Sequence, residues 1–98
     1  MTDTQYTIER EDAGGRGRYA IFLEPGFEAE MTFRRSPDGT MTIDHTGVPP
    51  KYEGRGIAAK LVNRAVDDAR AEGFKIAPLC SYVVAQFRRH PQWADLHA

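Results

Sequence analysis

This 98-residue chain has only one cysteine, one tryptophan and three histidines. A lone Cys80 excludes an internal disulfide, and one cysteine with three histidines lacks the spacing of a metal cluster, so no metal is expected. Neither sign of charge dominates. Thirteen basic residues stand against fourteen acidic ones, a formal net charge of −1, so no global field draws the chain to phosphate backbones or anionic lipid. No basic stripe interleaved with aromatics points to nucleic acid. Uninterrupted apolar runs are a few residues long against the ~20 that span a bilayer, and no basic start followed by an apolar run marks a secretory leader. Together these absences lead to the expectation of a cytoplasmic protein with no nucleic-acid and no membrane partner. Internal repeats, linkers and low-complexity tracts are also missing.

The remaining composition, 41% hydrophobic and 28% charged, is that of a globular chain. Its length suits one domain over residues 1–98: a layer of sheet covered by helices, with little to spare. Four segments read as strands. Tyr6 and Ile8 alternate with polar residues, Tyr19 to Leu23 is a β-branched and aromatic run, and Phe27, Ala29, Met31 and Phe33 keep a two-residue period. Met41, Ile43 and His45 continue that pattern. Gly14-Gly15-Arg16-Gly17, Glu24-Pro25-Gly26 and Ser36-Pro37-Asp38-Gly39 supply turns between them, which implies an antiparallel meander.

After Pro49-Pro50 the period changes. Ile57, Ala58, Leu61, Val62, Ala65, Val66 and Ala69 share one face of a helix that Gly73 stops. Phe74 to Leu79 returns as a short strand, and a crossover of this length joins parallel neighbours. Ser81 is then the expected cap of a last helix from Tyr82 to about His90, ended or kinked by Pro91. The expected fold class is α/β (α+β): four antiparallel strands, a helix, a roughly parallel fifth strand and a terminal helix.

The stretch from Val48 to Ala58, Val-Pro-Pro-Lys-Tyr-Glu-Gly-Arg-Gly-Ile-Ala, precedes the strong helix. Two glycines let the backbone approach a ligand, and the first helix amides lack internal partners, so a phosphate or pyrophosphate fits here. Lys51 and Arg55 add charge. The same glycine pair also fits a simple turn. A Walker loop would end in Gly-Lys-Ser/Thr, and a dinucleotide fingerprint would need a third Gly or Ala after a first parallel strand; neither is present.

Residues 53–58, Glu-Gly-Arg-Gly-Ile-Ala, between a fourth strand and a helix, resemble the acetyl-coenzyme A signature Arg/Gln-x-x-Gly-x-Gly/Ala of the GNAT N-acetyltransferase superfamily. Glu53 departs from it, standing where that family has Arg or Gln. With His45-Thr46, Val48-Pro49, the run from Pro78 to Val83 and the run from Arg88 to Trp93, the region from His45 to Leu96 is similar to the small single-domain YjdJ-type members. The resemblance implies acetyl-coenzyme A or coenzyme A as cofactor, with Thr46, Gly47 and Val48 beside the pantetheine arm and Glu53, Gly54, Arg55, Gly56, Ile57 and Ala58 around the pyrophosphate. Gly47 is expected to permit close approach.

The resemblance also places the acetyl group near the end of the fifth strand, where Cys80 stands. A thiol preceding a helix N-terminus favours its anion, and Cys80 then serves as nucleophile or base, or else as a small buried hydrophobe. Histidine chemistry suits His45 as base or shuttle, or as a solvent-facing side chain. Tyr82 protonates the departing thiolate or packs. Arg88 occupies the place where larger relatives keep an acid tyrosine. Those relatives also wall the acceptor cleft with two helices between the first two strands, which residues 11–17 cannot supply, so the acceptor side is open.

The implied function is N-acetyl transfer from acetyl-coenzyme A to an unknown amine or protein acceptor by a monomer or weak homodimer. The alternative is a non-catalytic coenzyme A-binding or protein-interaction module on the same fold.

Overall fold

The computed structural model describes residues 6–98. Strands β1 (Ile8–Asp12), β2 (Arg16–Glu24), β3 (Phe27–Arg35) and β4 (Met41–Gly47) form the antiparallel meander in sequential order, and β5 (Ile76–Pro78) lies parallel to β4. Helix α1 (Ile57–Glu72) makes the crossover between β4 and β5, and α2 (Ser81–Arg89) follows β5. Tyr6 lies outside β1, and β5 keeps only three residues of the apolar run read from the sequence.

Alternation along the strands separates two faces. Tyr19, Ile21, Ala29, Met31, Phe33, Met41 and Ile43 point to one of them and are buried with Ile57, Leu61, Val62, Ala65 and Ala69 of α1. Val83 and Phe87 of α2 extend the same cluster, so both helices cover this face. Fully burying side chains of this size stabilises by about 1.5–3 kcal/mol each relative to exposure. The opposite face carries Glu9, Glu11, Arg18, Phe22, Glu28, Glu30, Thr32 and Arg34, and no helix or strand of the described residues packs on it.

The edge strand β1 is fastened to α1 by charge. Arg10 reaches Asp68 at 3.1 Å and Glu72 at 2.6 Å, the Tyr19 hydroxyl donates to Asp68 at 2.8 Å, and Arg64 donates to the Ile8 carbonyl at 3.1 Å. Burial alone would raise the Asp68 carboxyl; the donors Tyr19, Arg10 and Arg64 outweigh it and hold the group below its ordinary value.

Two local expectations need correction. The two-residue period of β4 does not reach His45. Phe33 pairs with Ile43 while Thr32 pairs with His45, so Asp44 is an extra residue and the pairing is bulged. Thr46, opposite the core residue Met31, takes the inward position, and His45 turns outward beside Thr32. Ser81 is also not the cap of α2. It is the first helical residue, and Cys80 is the N-cap, with extended φ −70° and ψ 135°.

Pro91 ends α2 as expected, but the chain continues into a 3₁₀ helix, Pro91–Leu96, whose Trp93 packs edge-on against Phe87 at 5.2 Å. His97 then bridges Ile76, and the Ala98 amide donates to the Ile76 carbonyl at 2.8 Å, covering the outer edge of β5. The sequence carries no period for a pairing so short.

Candidate functional site

The site begins where two parallel strands stop pairing. β4 and β5 are in register over Met41–Ile76, Thr42–Ala77 and Ile43–Pro78. At Ile43 the pairing ends in a fork, because its carbonyl accepts both the Leu79 amide at 3.0 Å and the Cys80 amide at 3.1 Å. β4 runs on to Gly47 beside β3, while the other chain turns into α2. Beyond Ile43 the β5-facing edge of β4 therefore has no strand partner.

The opening leads to a cavity of about 390 Å³ lined by Thr46, Val48, Tyr52, Glu53, Gly54, Gly56, Ile57, Ala58 and Tyr82. Most of the expected cofactor residues thus converge on one hollow. Gly47, Arg55, His45 and Cys80 do not line it. A Cβ on Gly47 would stand 3.1 Å from the His45 ring, so its bareness clears the outward face rather than the cavity. Arg55 is exposed and lies over the Tyr52 ring at 5.1 Å.

Backbone conformation makes the loop specific. Gly54 and Gly56 have φ of 81° and 77°, a left-handed conformation that other residues resist, and a Cβ at either would meet nothing within 4 Å. Both therefore present bare backbone to open space. Gly56 is the N-cap of α1, no side chain caps it, and no acidic residue stands in the first turn. The first intrahelical bond is Lys60 to Gly56 at 3.2 Å, which leaves the amides of residues 57–59 and the positive end of the helix facing the hollow. These groups fit a phosphate or pyrophosphate.

Tyr52, which no motif in the sequence marks, forms one wall. It lies in a 3₁₀ turn, Pro50–Tyr52, and its hydroxyl donates to Glu24 at the end of β2. Lys51 joins the same carboxylate at 3.0 Å and sits 4.7 Å from the Phe27 ring. The Tyr52 hydroxyl and then Lys51 hold Glu24 below the usual carboxylate range, and the same bond raises the Tyr52 phenol. A partner 28 residues away left no local signal for this tether.

Cys80 stands behind Thr46, off the cavity lining. Its Sγ is 3.6 Å from Thr46 Oγ1, half-buried, at the start of α2. Burial alone would raise the thiol. Although none of the first-turn amides makes a cap hydrogen bond of ordinary geometry to it, the Val83 and Tyr82 amides and the Thr46 hydroxyl and amide outweigh burial and lower it. Tyr82 is half-buried against the core as well as lining the cavity, and burial raises its phenol. His45 is on the outward face, across the strand from the sulfur side. His90 stacks on Trp93 at 4.0 Å and takes no part in this site. Among the described residues no group of histidine, cysteine and carboxylate side chains could hold a metal ion, and no helix is long and apolar enough to cross a membrane.

Among curated proteins, none matches the chain. The family model described as GCN5-related N-acetyl-transferase matches residues 18–96, a span that contains the meander from β2, the fork at Ile43, the glycine loop and both helices. With its mixed five-stranded sheet and a bare-amide loop at the crossover helix, the chain belongs to the GCN5-related N-acetyltransferase family.

Proposed function

We propose that the protein binds acetyl-coenzyme A in the opening between β4 and β5 and transfers its acetyl group to an amine. One observation carries this reading: the unpaired edge of β4 and the bare amides of the glycine loop border one continuous hollow of about 390 Å³. Extended β4 backbone suits an amide-containing arm, and the loop suits a pyrophosphate. In this reading Thr46, Gly47 and Val48 flank the arm, while residues 54–58 hold the phosphates through backbone amides. Glu53 lacks the donors of an Arg or Gln, and Lys51 and Arg55 supply the nearby positive charge.

Bound there, acetyl-coenzyme A supplies an acyl group activated as a thioester. Thr46 lines the hollow with Cys80 behind it, and a thiol lowered from its ordinary value there can take a proton from, or return one to, a reacting group. His45 stands on the opposite side of the strand and suits removal of the proton that the acceptor amine must lose. Tyr82, kept protonated by burial, can give a proton to a thiolate or serve as a wall.

Thiol release from acetyl-coenzyme A, measured with a panel of amines and peptides, tests turnover. Release stimulated by an amine and lost in Gly56→Val supports the reading. Tight coenzyme A binding without stimulated release would leave the binding module in its place. Intact-mass measurement after incubation with acetyl-coenzyme A separates roles for the thiol: an acetyl adduct absent in Cys80→Ala makes the sulfur its carrier, and one that persists excludes it.

A further inference from the structure

The helix-free face of the sheet has features that the cofactor reading leaves unused. Arg18 at its centre pairs with Glu30 at 2.9 Å, with Glu11 at 3.2 Å and with Glu28. Three carboxylates share one guanidinium, leaving an excess of negative charge. Glu30 is opposite Gly47 and Thr32 is opposite His45, so the strip lies on the face onto which His45 projects. The imidazole lies over the bare Gly47, where a Cβ would come within 3.1 Å of its Nε2.

Among the described residues two large hydrophobic side chains are exposed, Phe22 and Leu79, each 68% accessible. Phe22 is opposite Glu28 on this face, whereas Leu79 follows the last residue of β5, next to Cys80 in sequence. A further hollow of about 400 Å³ lies on the same face, bordered by Arg18, Thr32, Asp44 and, at the end away from Gly47, Arg16 and Arg34. An apolar side chain beside a carboxylate strip fits an extended segment carrying ammonium groups better than a small cation, which has no use for the apolar neighbour.

We infer that this open face docks a basic, lysine-bearing peptide segment of a protein acceptor, with Glu28 and Glu30 drawing the lysine toward His45 and Gly47 and with Phe22 gripping an apolar neighbour. This rests on the acetyltransferase reading. In the reaction His45 takes one proton from the docked ammonium, the lone pair so freed forms the nitrogen's bond to the acetyl carbon, the carbon–sulfur bond of the thioester breaks, coenzyme A leaves with that electron pair, and the second proton that the nitrogen sheds ends on the departing sulfur.

The test uses the full chain and a fluorescent Leu-Lys-Leu-Lys peptide, with binding read by anisotropy and transfer by mass. The Glu28→Gln/Glu30→Gln pair is expected to weaken peptide binding about tenfold and to raise the peptide KM while kcat stays within about twofold. Phe22→Ser is expected to weaken the same binding, and salt to weaken it in the wild type. Coenzyme A affinity, measured separately, is expected to stay unchanged in these variants. Peptide binding indifferent to all three substitutions, in variants that still bind coenzyme A, would overturn the docking surface and leave the acetyltransferase reading standing. Spermidine acetylated as well as the peptide and indifferent to Phe22→Ser would overturn the peptide in favour of a small polyamine, and a concentration-dependent dimer abolished by Phe22→Ser would assign the face to a second copy. Loss of coenzyme A binding by the wild type would sink the cofactor reading, while anisotropy still reports on the face.

Discussion

The two halves of β4 follow different rules. From Met41 to Ile43 the strand has partners on both sides, and its inward side chains are fully buried. From Asp44 to Gly47 it has β3 alone, the alternation is shifted by the bulge, and the side chains are partly or wholly exposed. The first half does the work of a core strand. The second has the same backbone with one row of polar groups left over, and that row borders the glycine loop. In the proposed reading function is placed where pairing is withheld, while stability is secured elsewhere, at the paired half and at the β1 edge that Arg10 and Arg64 fasten to α1.

Substitutions sharpen that contrast. The largest effect belongs to the paired half: Ile43→Ala is expected to cost about 2–5 kcal/mol in urea unfolding, because its side chain has no solvent exposure. A value below 1 kcal/mol would mean that this half is no more built into the core than the open one.

Asp68→Asn, at the fastened edge, is expected to cost about 1.5–3 kcal/mol at pH 7 through its charged hydrogen bonds. The sign with pH follows from the lowered carboxyl. Its contribution is fully present above the unfolded carboxylate pKa and is lost as pH falls through the lower folded value. Urea midpoints measured from pH 7 down to pH 2 should therefore fall less steeply in the variant than in the wild type; parallel curves would contradict the assignment.

Gly56→Val is a smaller and more selective change. Its left-handed φ costs a side chain about 1–2 kcal/mol, with no clash, so the domain stays folded while coenzyme A affinity drops. Calorimetry on the folded variant checks this, and unchanged affinity would remove the phosphate from the loop. The least disruptive is Thr46→Val, in the open half. Thermal stability should move by less than about 1 kcal/mol, while the pH midpoint for iodoacetamide alkylation of Cys80, below that of the unfolded chain in the wild type, should move up.

Much of this was legible because it is local. The period of α1, its stop at Gly73, the turns of the meander and the bare glycines before the helix are all written in neighbouring residues. The bulge was not, because Asp44 reads like any polar residue between inward positions; only the pairing with β3 shows that His45 faces out and Thr46 in. Cys80 displaced Ser81 as the cap because both β4-side bonds to the Ile43 carbonyl keep the chain extended one residue short of where a good capping type stands. The Tyr52–Glu24 tether and the His97 bridge join residues far apart in sequence and leave no periodic trace.

The central claim is that the opening beyond Ile43 holds coenzyme A. Amide hydrogen exchange with and without coenzyme A tests it residue by residue, because a bound arm and pyrophosphate would shield the backbone on that edge. Protection is expected at residues 46–48 and 54–59, with β1 and β2 unchanged. Binding that leaves those amides exchanging at their free rates, with protection elsewhere, would contradict it.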